Sequence, residues 1–291
     1  MRQFFINNQD INVRVSEWGN KNTPLIFCIH GLGSTCLSFL ELGEMLKDKY
    51  HVLSIDLPGH GKTPPFSRDE DYEIPNLIKW LSKVIDLTCE KEFYLLAHSW
   101  GGEIALHYTA NYPTKVKKII LLDGGYYIKK LSNDYFSKNN HLQQKLPCSL
   151  QEETECYERD FNEYIFSSWE EYLEAEKNNY LRWSPLLKEA SMDLMKEVDG
   201  RVIWHASGDT ARGAIKSMYK SPSTLIYNLL PQNILLLQCT LPEFFTDIRN
   251  IQSKVFSEGT RAVIRKIEGT THMIHWDNPN AVYEEILKWF R

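Results

Sequence analysis

Short runs of Ile, Leu and Val alternate along the chain with segments of helical period, a pattern that predicts a mostly parallel central sheet with helices on both faces. Near the start, Ile11, Val13 and Val15 alternate with polar residues, and Asn7 and Asn8 supply turn chemistry. Gln3 to Asn7 and Ile11 to Trp18 therefore read as a hairpin. Buried strands are expected at Leu25 to His30, His51 to Asp56, Phe93 to Ala97 and Val116 to Leu122, then at Ile234 to Cys239 and Ala262 to Ile267. The last helix is marked by Asn278 as its cap and Pro279 in its first turn, with Ala281, Val282, Ile286 and Trp289 on one face.

From 126 to 228 the strand signals stop and the sequence turns charged, aromatic and helix-like. This segment is expected to be a helical cap inserted into a discontinuous core made of 1–125 and 229–291. Ser168 with Glu171 forms a capping-box pattern, and Trp169, Tyr172, Leu173 and Tyr180 fall on one helical stripe. Taken singly, each aromatic fits ordinary packing of cap on core. As a group they are expected to line a pocket.

Composition narrows the partners. With 291 residues, 43% of them hydrophobic, the chain can bury one large core plus an accessory layer. The net charge of −5 comes from interspersed acids and bases, without the basic stripe that nucleic acid requires. No segment approaches the roughly 18 uninterrupted apolar residues of a membrane span, and MRQFFINNQD has no leader pattern, so a cytoplasmic location is expected. The six cysteines (Cys28, Cys36, Cys89, Cys148, Cys156 and Cys239) lack zinc spacing and are expected to be reduced thiols. A small-molecule substrate is the one partner expected, with no metal or other cofactor; oligomeric state has no signal.

Candidate chemistry gathers at FYLLAHSWGGEIALHY, where an apolar strand meets an abrupt turn at Ala97-His98-Ser99-Trp100-Gly101 and a helix follows. Such an elbow lifts a side chain above the sheet on a strained backbone, and Gly101 and Gly102 let helix and strand approach closely. Three further segments occur in order. Leu25 to His30 runs into His30-Gly31-Leu32-Gly33-Ser34; Asp56-Leu57-Pro58-Gly59-His60-Gly61-Lys62-Thr63 follows the next strand; Gly269-Thr270-Thr271-His272-Met273 precedes the last helix. Together these motifs resemble the α/β-hydrolase family over nearly the whole chain outside the inserted segment. Ala97 stands where that family's G-x-S-x-G pattern begins with Gly, a departure of one methyl group.

The resemblance implies Ser99 as nucleophile and His272 as general base, with His275 as the fallback, because a serine hydroxyl needs a base to take its proton. It also implies that the backbone N–H groups of Leu32 and Trp100 receive the developing oxyanion. The third member stays open. The family's usual acid site reads Leu237-Gln238-Cys239-Thr240-Leu241-Pro242-Glu243, with Pro242 where Asp is expected. Either Glu243 reaches His272, or the acid has moved to Asp123, at the carboxyl end of the strand after the elbow, where open sheets place their ligands. Asp123 is preferred, and Asp247 is a distant third.

Two motifs invite a nucleotide-binding reading. Gly31-Leu32-Gly33-Ser34-Thr35-Cys36 imitates a dinucleotide fingerprint, but Cys36 replaces its third glycine. Gly61-Lys62-Thr63 imitates a phosphate loop, but Asp56 stands where that loop begins with glycine. Among hydrolases, the resemblance implies cleavage of a carboxylic ester or lactone with an apolar or aromatic group. A prolyl aminopeptidase-like activity, carbon–carbon bond hydrolysis and a non-catalytic ligand-binding relative are the alternatives. Haloalkane dehalogenases and epoxide hydrolases of this fold carry Asp at the elbow, so Ser99 argues against both.

Overall fold

Side chains of successive strand residues fall alternately into two apolar clusters. Phe27, Ile29, Leu95, Ala97, Leu121 and Leu236 belong to one, while Ile26, Cys28, Leu96, Leu122, Leu235 and Leu237 belong to the other. A strand with both faces covered needs no polar side, which is why these segments read as unbroken apolar runs. The structure is a computed structural model and describes residues 1–8, 11–89, 91–139, 147 and 149–291. Its strands are β1 (Arg2–Asn8), β2 (Ile11–Trp18), β3 (Leu25–Ile29), β4 (His51–Ile55), β5 (Phe93–His98), β6 (Val116–Leu122), β7 (Ile165–Phe166), β8 (Met195–Val198), β9 (Arg201–Trp204), β10 (Ile234–Cys239) and β11 (Val263–Ile267). Eight of them form one sheet in the order β1-β2-β4-β3-β5-β6-β10-β11. The β1–β2 and β2–β4 pairs are antiparallel and the others parallel, as expected of the predicted α/β architecture.

The helices are α1 (Leu40–Leu46), α2 (Ile74–Thr88), α3 (Trp100–Asn111), α4 (Lys129–Lys138), α5 (Leu150–Glu163), α6 (Trp169–Asn179), α7 (Pro185–Met192), α8 (Gly208–Lys220), α9 (Thr246–Thr260), α10 (Ile274–Asp277) and α11 (Pro279–Trp289). Leu77, Leu81 and Val84 of α2 and Ile104 of α3 cover one face of the sheet; Leu40 and Leu46 of α1 and Val282 and Ile286 of α11 cover the other. Asn278 caps α11 by accepting from the Ala281 N–H at 3.1 Å, with Pro279 in the first turn. The Cys148 thiol lies outside the described residues; Cys28, Cys36, Cys156 and Cys239 form no disulfide among the described residues. Among the described residues no group of His, Cys, Asp or Glu is arranged to hold a metal. No helix among them is long and apolar enough to cross a membrane.

Two expectations for the segment between β6 and β10 need correction. It is not purely helical, because β7, β9 and β8 form a small antiparallel sheet. The turn between β8 and β9 is Asp199-Gly200, with φ of 51° and 75°, the two-residue geometry that Asp-Gly favours between hairpin strands. That dipeptide was the overlooked signal. The aromatic stripe of α6 is also consumed in packing. Tyr172 is fully buried with its hydroxyl donating to the Ser191 carbonyl at 2.8 Å, and Trp169, Leu173 and Tyr180 pack against the same cluster. Ser168 does cap this helix, accepting from the Glu171 N–H at 3.1 Å.

Polar joints fasten the insert to the core. Arg14 of β2 donates from Nε and Nη2 to Asp56, at 2.7 and 3.0 Å, and from Nη1 and Nη2 to Asp193, just beyond α7, at 2.7 and 2.6 Å. Burial opposes the Asp56 charge, but Arg14 and the Cys36 N–H hold its carboxyl below the ordinary range. Asp56 is thus a structural counter-ion, and the residue that imitated part of a nucleotide motif is fully buried.

Candidate active site

The elbow forms because β5 ends against a helix start with no room for side chains between them. Ser99 takes φ 53° and ψ −123°, a left-handed-side conformation costly for a residue with a Cβ, and α3 begins at the next residue. A Cβ on Gly101 would lie 2.4 Å from the His30 carbonyl oxygen, so only glycine lets α3 approach β3 this closely. The Ser99 N–H donates to the Leu122 carbonyl at 3.2 Å, tying the elbow to the end of β6.

Three side chains converge there. His272 Nε2 lies 2.8 Å from Ser99 Oγ, and its Nδ1 lies 2.7 Å from Asp123 Oδ2. With an anionic Asp123 as acceptor, Nδ1 carries the hydrogen, and the Nε2 lone pair faces the serine hydroxyl. Asp123 follows β6 with φ 42°, and its N–H donates to the Leu237 carbonyl of β10 at 2.8 Å. Its fully buried carboxylate also accepts from the Tyr126 hydroxyl at 2.9 Å, the Cys239 thiol at 3.2 Å and the Cys239 N–H at 3.3 Å. Burial alone would raise the Asp123 pKa; the hydrogen bond and charge of His272, with the Cys239 and Tyr126 donors, outweigh it and hold the group below the ordinary value.

The loop carrying His272 is fixed from below. His98, the residue before Ser99, lies with Nε2 3.0 Å from the His272 carbonyl and therefore donates to it. Thr271 donates from its N–H and its hydroxyl to Asp277 at 2.7 and 2.6 Å. His275 does not replace His272: its Nε2 is 2.8 Å from Ser38 Oγ and its ring stacks on Phe39. Burial, followed by repulsion from His272, lowers its pKa to about 3. Glu243 and Asp247 are both exposed, and Nδ1 of His272 is engaged by Asp123 instead. The supporting residues Tyr126, Cys239 and His98 were not singled out as site residues in the sequence; their roles arise from contacts between separate strands and loops.

A cavity of ≈ 480 Å³ opens at Ser99 and His272, with Leu32 and Trp100 on its border. Trp100 is the first residue of α3, so its N–H belongs to the helix's electropositive end. The Leu32 loop is held from both sides. Trp204 of β9 donates from its indole N–H to the Gly33 carbonyl at 2.6 Å, and the Leu57 N–H donates to Nε2 of His30 at 3.0 Å. Tyr127, Tyr157, Met218 and Phe245 supply apolar wall, the first three from the inserted segment.

An eight-stranded sheet with a strained serine at the end of a central strand, facing a histidine from the loop before the last helix, defines the α/β hydrolases as a class. The family described as alpha/beta hydrolase fold matches residues 24–171, and the chain belongs to it. A "Serine hydrolase-like protein" of Danio rerio is 23% identical over 287 residues, which cover 93% of this chain and 82% of that protein. An "Uncharacterized hydrolase YugF" of Bacillus subtilis is 30% identical over 130 residues, 45% of this chain and 46% of that protein, so this match spans less than half of either. Among solved structures, an E-2-(acetamidomethylene)succinate hydrolase superposes with a TM-score of 0.76 over 99% of this chain and 98% of its own, at 16% identity, a likeness of fold.

Proposed function

We propose that this protein is a serine hydrolase that cleaves a carboxylic ester or lactone through an acyl-enzyme on Ser99. The observation that carries the reading is the 2.8 Å approach of His272 Nε2 to Ser99 Oγ, with Nδ1 held 2.7 Å from buried Asp123. As Oγ bonds to the substrate carbonyl carbon, its proton passes to His272 Nε2. The carbonyl oxygen becomes an oxyanion between the N–H groups of Leu32 and Trp100, each such donor lowering the barrier by about 2.7–4 kcal/mol. Collapse breaks the ester bond, and the leaving alcohol takes the proton from His272. Water then repeats the sequence on the acyl-enzyme, releasing the acid and restoring Ser99.

The segment 126–228 acts as a cap in this reading, since it contributes Tyr127, Tyr157 and Met218 to the wall of the cavity at Ser99. Their apolar surfaces favour an apolar or aromatic group on the substrate. Unbridged thiols at Cys28, Cys36, Cys156 and Cys239 suit a reducing compartment, and a cytoplasmic location is part of the proposal.

A fluorophosphonate probe followed by mass spectrometry of the labelled peptide tests the activated serine, with Ser99→Ala as the control. Label on Ser99 that vanishes in the variant is the expected result. Folded protein that stays unlabelled would favour a ligand-binding relative over an enzyme.

A further inference from the structure

Two cationic side chains line the cavity at Ser99: Lys129 and Arg249. Lys129 is neutralised by Glu153. Arg249 is not matched in this way. It projects from α9, is 5% exposed, and donates only to neutral main-chain carbonyls: Nη1 to Thr240 at 3.3 Å and Pro242 at 2.9 Å, and Nη2 to Leu241. Among the described residues no carboxylate pairs with it. A guanidinium has five N–H groups, so these bonds leave the Nε hydrogen and the second Nη2 hydrogen, and Nε is buried without a partner.

The unpartnered Nε lies on the edge of the guanidinium that it shares with Nη2, the edge that grips carboxylates side-on elsewhere in this protein. Arg14 holds Asp56 through Nε and Nη2 at 2.7 and 3.0 Å, and Arg212 holds Asp69 through the same pair of atoms at 2.9 and 3.0 Å. At Arg249 the edge is present and the carboxylate is missing. A buried charge without a counter-ion is costly, and a ligand that brings the counter-ion recovers part of that cost as affinity.

The position of Arg249 tells how such a ligand lies. A second cavity, of ≈ 470 Å³, adjoins the first, and the two share Tyr127, Lys129, Tyr157, Phe245 and Arg249 as walls. A chain that starts at Ser99 and runs along the aromatic rings toward the second cavity therefore passes Arg249. Of the other charged groups on the first cavity, Asp123 is committed to His272 and Glu103 accepts from the Ser223 N–H at 2.7 Å.

We propose that the substrate is an ester carrying a second, ionised carboxyl group at the end of an apolar arm, received by the Nε–Nη2 edge of Arg249. This rests on the hydrolase reading above and names its substrate class. The arm lies among Tyr127, Tyr157 and Phe245, the carboxylate pairs with Arg249, and the ester carbonyl is left at Ser99.

The test compares substrate pairs in which the carboxylate is replaced by its neutral methyl ester. With the charge in the acyl arm, 4-nitrophenyl hydrogen adipate is set against 4-nitrophenyl methyl adipate. With it in the alcohol arm, 6-acetoxyhexanoate is set against its methyl ester. In the wild-type protein, at least one pair is expected to show kcat/KM about tenfold or more in favour of the carboxylate, mainly through KM. The ratio should fall toward one in Arg249→Gln, whatever the absolute rates, and be partly kept in Arg249→Lys. A ratio near or below one for both pairs in the wild type overturns the proposal, and so does a ratio unchanged in Arg249→Gln. Calorimetric binding of the same compounds to Ser99→Ala separates recognition from reaction. Carboxylate-selective binding without wild-type turnover would retain the role of Arg249 and sink the hydrolase reading, whereas turnover without selectivity would do the reverse.

Discussion

The Cys239 sulfur lies 3.2 Å from Asp123 Oδ2, so the last residue of β10 donates its thiol hydrogen to the carboxylate that follows β6. Two neighbouring strand ends thereby cooperate. One places a carboxylate beside His272, and the other supplies a thiol and an N–H that keep that fully buried carboxylate ionised.

Asp123→Asn is expected to lower kcat by about 10⁴-fold, the scale seen when the aspartate of a serine protease triad loses its charge, because Nδ1 of His272 loses the acceptor that sets its tautomer. Glu243→Gln should leave kcat within about threefold of wild type, a change of well under 1 kcal/mol in barrier. Steady-state hydrolysis of an activated ester by both variants decides this, and the opposite ranking would assign the acid to Glu243.

Removing a donor from a buried anion leaves it under-satisfied, at about 1–3 kcal/mol for each of Tyr126→Phe and Cys239→Ala. The sign of the pH effect follows from Asp123. Its folded pKa is depressed, so its stabilisation is present above the unfolded value of 3.8 and is lost as pH falls through the folded value. Each variant raises the folded value and shrinks that contribution at neutral pH. Urea unfolding at pH 7 and at successively lower pH, carried below 3.8, should therefore show the deficit from wild type shrinking as pH falls through the folded value; a deficit that stays constant would mean the donors only pack.

Arg14 is 1% exposed between Asp56 and Asp193, and breaking a buried pair strands the remaining charge. Arg14→Met is expected to cost about 3–5 kcal/mol in denaturant unfolding. Asp193→Asn should cost less, since Asp56 still faces the guanidinium and the Asn oxygen still accepts a hydrogen bond. A loss near zero for Arg14→Met would show that carbonyl and water contacts suffice at this joint.

Four histidines around the site are buried in the neutral form. Burial, the leading cause in each case, lowers His30 to about 4, His60 and His275 to about 3, and His98 well below the ordinary value. Below pH 6.5 the unfolded chain binds these protons and the folded one does not, so stability falls as pH drops from 6.5 toward 4. The slope is about 1.4 kcal/mol per pH unit for each histidine fully engaged in this difference. Urea midpoints measured between pH 7 and pH 5 would check it, and a flat profile would contradict the buried neutral state.

Much of this was legible because the signals are local. An apolar run buried on both faces reads the same in sequence and structure, as at Ile119 to Leu122. The elbow was legible at Ser99 because an apolar strand, a serine and two glycines are contiguous, and the cap of α11 because Asn278 and Pro279 are. The hairpin of β8 and β9 was missed although Asp199-Gly200 announced it, since its four-residue strands carry charges on the exposed side and resemble the helical sequence around them.

The amino-acid sequence by itself determined the sheet, the strained serine and the histidine before the last helix, since each depends on residues within a few positions of one another. Only the tertiary structure decided which carboxylate stands beside His272. Asp123 and His272 are 149 positions apart, and Glu243, much closer along the chain, is exposed at the start of a short 3-10 helix. The parallel pairing of β6 with β10, with Leu122 beside Leu237, brings Asp123, Cys239 and the His272 loop to one edge. The same is true of Arg249, whose uncompensated charge depends on which acids the fold leaves out of reach. Pairings of this kind have no period in the sequence, because the partners meet only when distant strands and helices pack.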